Sequence, residues 1–224
     1  MLHNLTILDK QPSLLHQFMT ELRDNKIQQD KARFRNNLQR IGEIMAYEIS
    51  KSFAFHEITI KTPLGNHSSK ILGDQPVLIT IFRAGMPLYQ GFLHYFDHAP
   101  SGFFGASRTE LEKRSSDTNN SIEVNVGYEM IPAINGKTVI VIDPMLATGN
   151  SLKQSIERIY KNGTPKHLII AAVVAAPEGI DFLKKNLDVD FSLFVVSVDK
   201  GLTENSFIYP GLGDAGNLAF GQPL

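Results

Sequence analysis

The sequence predicts an α/β fold: a parallel sheet flanked by helices, with a helical arm before it and a glycine-rich loop after it. Three observations carry this prediction. First, the segments Val77–Phe82, Val139–Ile142, His167–Val174 and Phe191–Val198 are nearly continuous apolar runs rich in β-branched residues. Strands of a parallel sheet, covered on both faces, have this pattern. Second, stretches with apolar residues at helical spacing alternate with those runs, as βαβ units require. Third, the turns after Phe82 and Ile142 combine small residues with one charged residue, Arg83 in one and Asp143 in the other.

The elements are read in chain order. Pro12-Ser13 is a helix start signal, and Leu14, Leu15, Phe18, Met19 and Leu22 form one apolar stripe. Asp24–Asp30 is a polar break. Phe34, Leu38, Ile41, Ile44, Met45 and Ile49 form a second stripe, which opens on the basic run Lys31-Ala-Arg33-Phe34-Arg35. Phe55–Ile60 alternates as a strand, Pro63–Asn66 is a turn, and Lys70–Leu72 pairs back. Val77–Phe82 leads through Arg83-Ala-Gly85 into a helix over Met86–Phe96. Gly102–Ala106 is a short strand, and Ile122–Tyr128 alternates again, which predicts a long hairpin or flap with a polar tip at Lys113–Asn120. A helix over Leu152–Tyr160 stops at Asn162-Gly163. Ala175-Ala-Pro-Glu-Gly179 opens a short helix to Asn186, with Glu178 as a favourable acid at its amino end. Ile208–Gly221 holds four glycines and a proline and is read as loop, neither helix nor strand.

The 224 residues fit one domain spanning 1–224, with 42% hydrophobic and 20% charged content, enough for an ordinary core. Lys and Arg number 22 against 23 Asp and Glu, so no global attraction to nucleic acid or an anionic membrane is expected. There is no cysteine, which excludes thiolate chemistry and disulfides. Met1–Lys10 lacks the features of a signal peptide, and the longest apolar run, Leu168–Ala176, is too short to span a bilayer. The expectation is a soluble cytoplasmic protein without membrane or nucleic-acid partners. His94 and His98 stand four residues apart on a helix, but no third ligand accompanies them, so no protein-held metal is expected.

Val139–Ser151, V-I-V-I-D-P-M-L-A-T-G-N-S, joins a strand, an acid, a small-residue turn and a helix. The first turn of a helix offers unpartnered N–H groups and the positive end of its dipole, which suits a phosphate. The dipole is worth roughly 0.3–1 kcal/mol and each charge-assisted hydrogen bond roughly 1.5–3, so the hydrogen bonds dominate. Thr148 and Ser151 add hydroxyl donors. Asp143 would repel a phosphate, and suits sugar hydroxyls or a divalent cation. The structural alternative is that Asp143 ends a strand and Ser151 caps a helix.

The stretch D-P-M-L-A-T-G-x-S resembles the ribose-phosphate loop of the uracil phosphoribosyltransferases. F-R-A-G-M at Phe82–Met86 resembles that family's diphosphate loop, A-A-P-E-G is shared, and P-G-L-G-D-A-G at Pro210–Gly216 resembles its uracil loop. The resemblance covers most of the chain from about Pro76 and implies a type I phosphoribosyltransferase-like fold. It further implies a helical arm over 1–50, a core over 76–200 with a flap over 107–130, and a base-recognition loop over 201–224. In such a fold the Arg83 loop can hold a non-proline cis peptide, and the basic run of the arm lies near the active site.

The implied reaction joins uracil to 5-phosphoribosyl 1-diphosphate, giving UMP and diphosphate. Arg83, Arg108, Asp143 and Asp214 are the implied catalytic residues. Those four with Pro144, Met145, Leu146, Ala147, Thr148, Gly149, Asn150 and Ser151 would bind the phosphoribosyl substrate. Ile208, Gly213, Asp214 and Ala215 would bind uracil. Mg²⁺ is the expected cofactor, carried on the substrate's diphosphate. A homodimer or higher homo-oligomer is expected. Arg108 is kept, but the chain departs from the family beside it, at Ser107 and Thr109, and again at Asn217 and Gln222, with an acid in the family at the position of Asn217. The alternatives are a pyrimidine-sensing RNA-binding regulator on the same fold, or a phosphoribosyltransferase for another base.

Overall fold

The computed structural model describes residues 1–108 and 124–222, with side chains over 1–105 and 128–222. The strands are β1 Leu2–Ile7, β2 Phe55–Thr62, β3 Gly65–Leu72, β4 Val77–Phe82, β5 Ser101–Arg108, β6 Val124–Met130, β7 Thr138–Ile142, β8 Met145–Leu146, β9 His167–Ala175, β10 Phe191–Val198, β11 Gly201–Leu202 and β12 Ile208–Tyr209. The helices are α1 Leu14–Arg23, α2 Lys31–Ser50, α3 Gly85–Tyr95, α4 Asn150–Lys161, α5 Pro177–Asn186 and α6 Ala215–Phe220.

The main sheet has the order β1-β10-β9-β7-β4-β5-β6, with β8 added beside β9. All its pairings are parallel except β5 with β6. The polar tip expected at Lys113–Asn120 lies outside the described residues. The runs are nearly continuous in apolar residues because both faces of the sheet are covered. Leu78, Ile140, Ile142 and Ile169 pack with α1, α2 and α3 on one face. Val77, Ile79, Val139, Val141 and Ile170 pack with α4 and α5 on the other. β2 and β3 form a separate antiparallel ribbon.

Two differences from the sequence reading stand out. Leu2–Ile7 is an edge strand, parallel to β10 with Leu5 opposite Leu193. Its side chains are half-buried or exposed, so it lacks the apolar continuity that marks the inner strands. The C-terminal segment is not loop throughout: Ala215–Phe220 is a helix and Ile208–Tyr209 pairs with Gly201–Leu202. Tertiary packing overrides the glycine-rich composition here. Ala215 and Ala219, one helical turn apart, are both buried, and Asp214 caps the helix by accepting from Asn217 N at 2.9 Å.

Close packing of α2 on α3 positions the loop that precedes α3. A Cβ at Gly42 would overlap the Leu88 carbonyl, and one at Gly91 would overlap that of Gln39. His94 Nδ1 lies 2.9 Å from Glu43 Oε1 across the same two helices.

Glu21 ties α1 to α2. Its carboxylate accepts from Arg33 Nη2 at 2.7 Å, Arg33 Nε at 2.8 Å and Asn37 Nδ2 at 2.7 Å. The Arg33 bond, then that from Asn37, holds the Glu21 pKa down from 4.5 to about 2. A carboxyl whose pKa is depressed on folding contributes stability that is complete above its unfolded value and is lost as pH falls through the folded one. Glu21→Gln is therefore expected to melt below the wild type at pH 7. The gap in Tm should narrow as pH falls from about 4.5 toward 2, measured by thermal unfolding of both proteins across that range. A constant gap would assign the loss to packing.

Candidate active site

β4 and β7 are neighbours, but the chain leaves them in opposite directions across the sheet: β5 lies beyond β4, and β9 with β10 beyond β7. The crevice at the carboxyl ends of such a strand pair is the topological switch point, where open α/β sheets bind ligands. The Arg83 and Asp143 loops flank this crevice.

The β4 loop turns tightly. The Phe82–Arg83 peptide is cis. α3 begins at Gly85, where a Cβ would overlap Thr80 Oγ1 and stand 3.1 Å from Ile142 O. Thr80 Oγ1 donates to that same Ile142 carbonyl at 3.1 Å, so the ends of β4 and β7 and the start of α3 are locked together. Arg83 is exposed. Its Nη1 donates to Gly221 O at 3.0 Å and its Nη2 to Asn217 Oδ1 at 3.1 Å.

The β7 loop is held by main-chain bonds. Asp143 N donates to Ala171 O at 3.1 Å, and Pro144 O accepts from Val173 N and Val174 N, each at 3.0 Å. Asp143 Oδ1 accepts from Met145 N at 3.2 Å, and the residue is half-buried. Gly149 has φ +85°, and a Cβ there would stand 2.9 Å from Phe182 Cδ1. A Cβ at Gly179 would overlap the Ala147 carbonyl. These two glycines seat the loop directly on α5, and only glycine combines that φ with that closeness.

α4 starts at Asn150, and its N-cap Gly149 supplies no side chain, whereas Ser13, Asp30 and Asp214 cap α1, α2 and α6. Ser151 lies inside α4 and is not its cap. Thr148 Oγ1 stands 3.4 Å from Asn150 N. Ala147, Thr148, Asn150 and Ser151 are half-buried around this amino end.

The C-terminal segment supplies the third side. Tyr209–Pro210 is cis, and Gly211 and Gly213 have φ +63° and +85°. Ile208 and Ala215 are buried in the core, so main-chain atoms are what they offer a ligand, while Gly213 and Asp214 are exposed. A cleft of about 410 Å³ lies between this segment and the arm, lined by Gln28, Gln29, Lys31, Gly213, Asp214 and Asn217. Arg35 Nη1 donates to Ala219 O at 2.7 Å. Of the basic run, Lys31 and Arg35 thus face the C-terminal segment and Arg33 turns to Glu21. Arg108 ends β5, its main chain paired with Val124, and its side chain lies outside those described. Glu178 Oε1 accepts from Leu202 N at 3.1 Å, a tie between α5 and β11.

The family model described as uracil phosphoribosyltransferase matches residues 9–222. The chain belongs to the uracil phosphoribosyltransferase family. A protein named uracil phosphoribosyltransferase in Porphyromonas gingivalis is 39% identical over 217 residues, covering 97% of this chain and 98% of its own. One of the same name in Thermococcus sibiricus is 40% identical over 219 residues, covering 96% of this chain and 89% of its own. Among solved structures, the AQ2163 protein from Aquifex aeolicus is similar with a TM-score of 0.83 and 28% identity, over 97% of this chain and 98% of that one.

The neutral amide oxygen of Asn217 receives the Arg83 guanidinium. Asn217 and Gly221 as Arg83 partners escaped the sequence reading, because they lie 134 and 138 residues away. The spacing of Ala215 and Ala219 was the available sign that this stretch presents a helix to that arginine.

Proposed function

We propose that this chain transfers the phosphoribosyl group of 5-phosphoribosyl 1-diphosphate to uracil, as a cytoplasmic homo-oligomer. The observation that carries the reading is Arg83, which hydrogen-bonds the loop after β4 to the C-terminal segment at Asn217 and Gly221. It unites the motifs assigned to diphosphate and to base at one edge of the sheet. The uncapped start of α4 supports a seat for the 5-phosphate, and Asp143 supports a grip on the ribose hydroxyls.

In the proposed reaction uracil N1 bonds to ribose C1 as the bond from C1 to the diphosphate oxygen breaks, with oxocarbenium character at C1. The N1 proton leaves to water. Holding both reactants in line supplies roughly 7–11 kcal/mol of the barrier. Arg83 and Arg108 stabilise the charge that gathers on the departing diphosphate. A Mg²⁺ carried on the substrate's diphosphate would supply further neutralisation of that charge. The donor set fits that route, since Asp143 is followed by Pro144 and offers the cation one carboxylate. A hard cation wants about six oxygens, which diphosphate and water provide. Gly213 and Ala215 present main-chain groups to the acceptor–donor–acceptor edge of uracil, and Asp214 lies beside them. The exposed apolar side chains of the β2–β3 ribbon, Leu64, Ile60 and Ile71, support assembly with further copies. No described helix is long and apolar enough to cross a membrane.

The test is an assay with Mg²⁺, 5-phosphoribosyl 1-diphosphate and, separately, uracil, cytosine, orotate and hypoxanthine. UMP from uracil alone is expected. Nucleotide from orotate or hypoxanthine with none from uracil overturns the reading.

A further inference from the structure

The base-recognition segment is built on the arm through one charged pair. Arg23, the last residue of α1, donates from Nη1 to Asp199 Oδ2 at 2.8 Å and from Nη2 to Asp199 Oδ1 at 2.7 Å. Such a bidentate pair fixes direction as well as distance. The Asp199 side chain is 5% exposed and that of Arg23 25%. The pair grips one residue of the C-terminal turn from both sides: Arg23 Nη1 donates to Gly211 O at 2.9 Å, and Gly211 N donates to Asp199 Oδ2 at 2.9 Å.

Gly211 cannot move off this seat cheaply. Its φ is +63°, and a Cβ there would overlap the Ile208 carbonyl. The next residue is also tied to the arm, because the Gln28 amide, oriented to satisfy both neighbours, donates to Leu212 O at 2.8 Å and Leu22 O at 3.2 Å. The arm therefore takes the main chain of Gly211 and Leu212 and leaves Gly213 and Asp214 as the exposed part of the turn.

We infer that Arg23 and Asp199 are positioning residues for the nucleobase: they set the height and tilt of the Ile208–Ala215 turn, and so govern affinity for the base without touching it. The inference rests on the proposed uracil site. Neither residue lies at the Arg83 or Asp143 loops, so the larger effect falls on the base, and the phosphoribosyl substrate feels the turn only through Asp214. A role in stability alone would lower Tm and leave both KM values in place.

The experiment is steady-state kinetics on Arg23→Lys and Asp199→Asn, each with a thermal unfolding curve. Lysine keeps the charge but cannot make the fork. Asparagine keeps the shape and still accepts from Gly211 N, but loses the charge. Losing one charge-assisted bond predicts a KM for uracil raised roughly ten- to hundredfold in Arg23→Lys. A smaller rise is expected in Asp199→Asn, and in both variants the KM for 5-phosphoribosyl 1-diphosphate should rise less than that for uracil. A KM for uracil equal to the wild-type value in either folded variant overturns the inference, as do equal rises in both KM values. If the wild type makes no UMP from uracil, the proposed site itself fails and the inference with it. Wild-type turnover of uracil with unmoved variants sinks the positioning role alone.

Discussion

Asp143→Asn should lower kcat/KM by about 10²–10³-fold, the scale for removing one group aimed at charge or hydroxyls of the reacting centre, while leaving Tm nearly in place. The substitution suits the question because it keeps the size and shape of the side chain. Asp143 N would still donate to Ala171 O, and an asparagine Oδ1 can still accept from Met145 N. What disappears is the negative charge and one of the two acceptor oxygens. Aspartate accepts at both positions, whereas asparagine accepts at one and donates at the other. UMP formation at saturating and limiting substrate, beside a thermal melt, separates the effects. A fall in Tm that tracks the fall in activity would make Asp143 the end of a strand and nothing more.

Arg83→Ala should cost about 10³-fold in kcat/KM, since on the proposed reading it removes the cation that meets the departing diphosphate, the kind of stabilisation that dominates many enzymatic rates. Arg83→Lys should recover little of it. The guanidinium reaches Gly221 O and Asn217 Oδ1 with two different nitrogens while keeping further N–H groups for a ligand, a fork that one ammonium cannot reproduce. The effect on Tm should be small, because Arg83 is exposed and exposed polar contacts count for little. Amide exchange offers a second reading: the segment Asn217–Gly221 should exchange faster in Arg83→Ala, having lost one tie at the Gly221 carbonyl and one at the Asn217 side chain. Activity within a few-fold of wild type would remove Arg83 from the site.

The inner strands were legible because burial on both faces makes β4, β7, β9 and β10 nearly continuous apolar runs, and that pattern needs no partner to be read. β1 was not, because an edge strand is defined by its neighbour: Leu2–Ile7 becomes a strand only beside Phe191–Val195. α6 was hidden by composition. Gly213 and Gly216 argue against a helix locally, while burial of Ala215 and Ala219 decides for one. The charged ends of β4 and β7 were readable as motifs, since each lies within one short stretch. Their mutual arrangement was not, because it depends on Thr80 reaching Ile142 O and on Gly85 fitting beneath them. The arm showed its basic run in sequence, but nothing in that run distinguishes Arg35, which meets Ala219 O, from Arg33, which meets Glu21.

The pairing of β1 with β10 has a consequence for synthesis on the ribosome. Leu5 lies beside Leu193, and Arg23 beside Asp199, contacts that join residues nearly the whole chain apart. A growing chain can assemble β4, β5 and β7 while its first residues still wait for β10 to emerge. The turn that Arg23 and Asp199 hold is thus among the last parts to be seated. A nascent chain halted before Phe191 would own its two strand-end loops and yet lack the C-terminal turn that faces them.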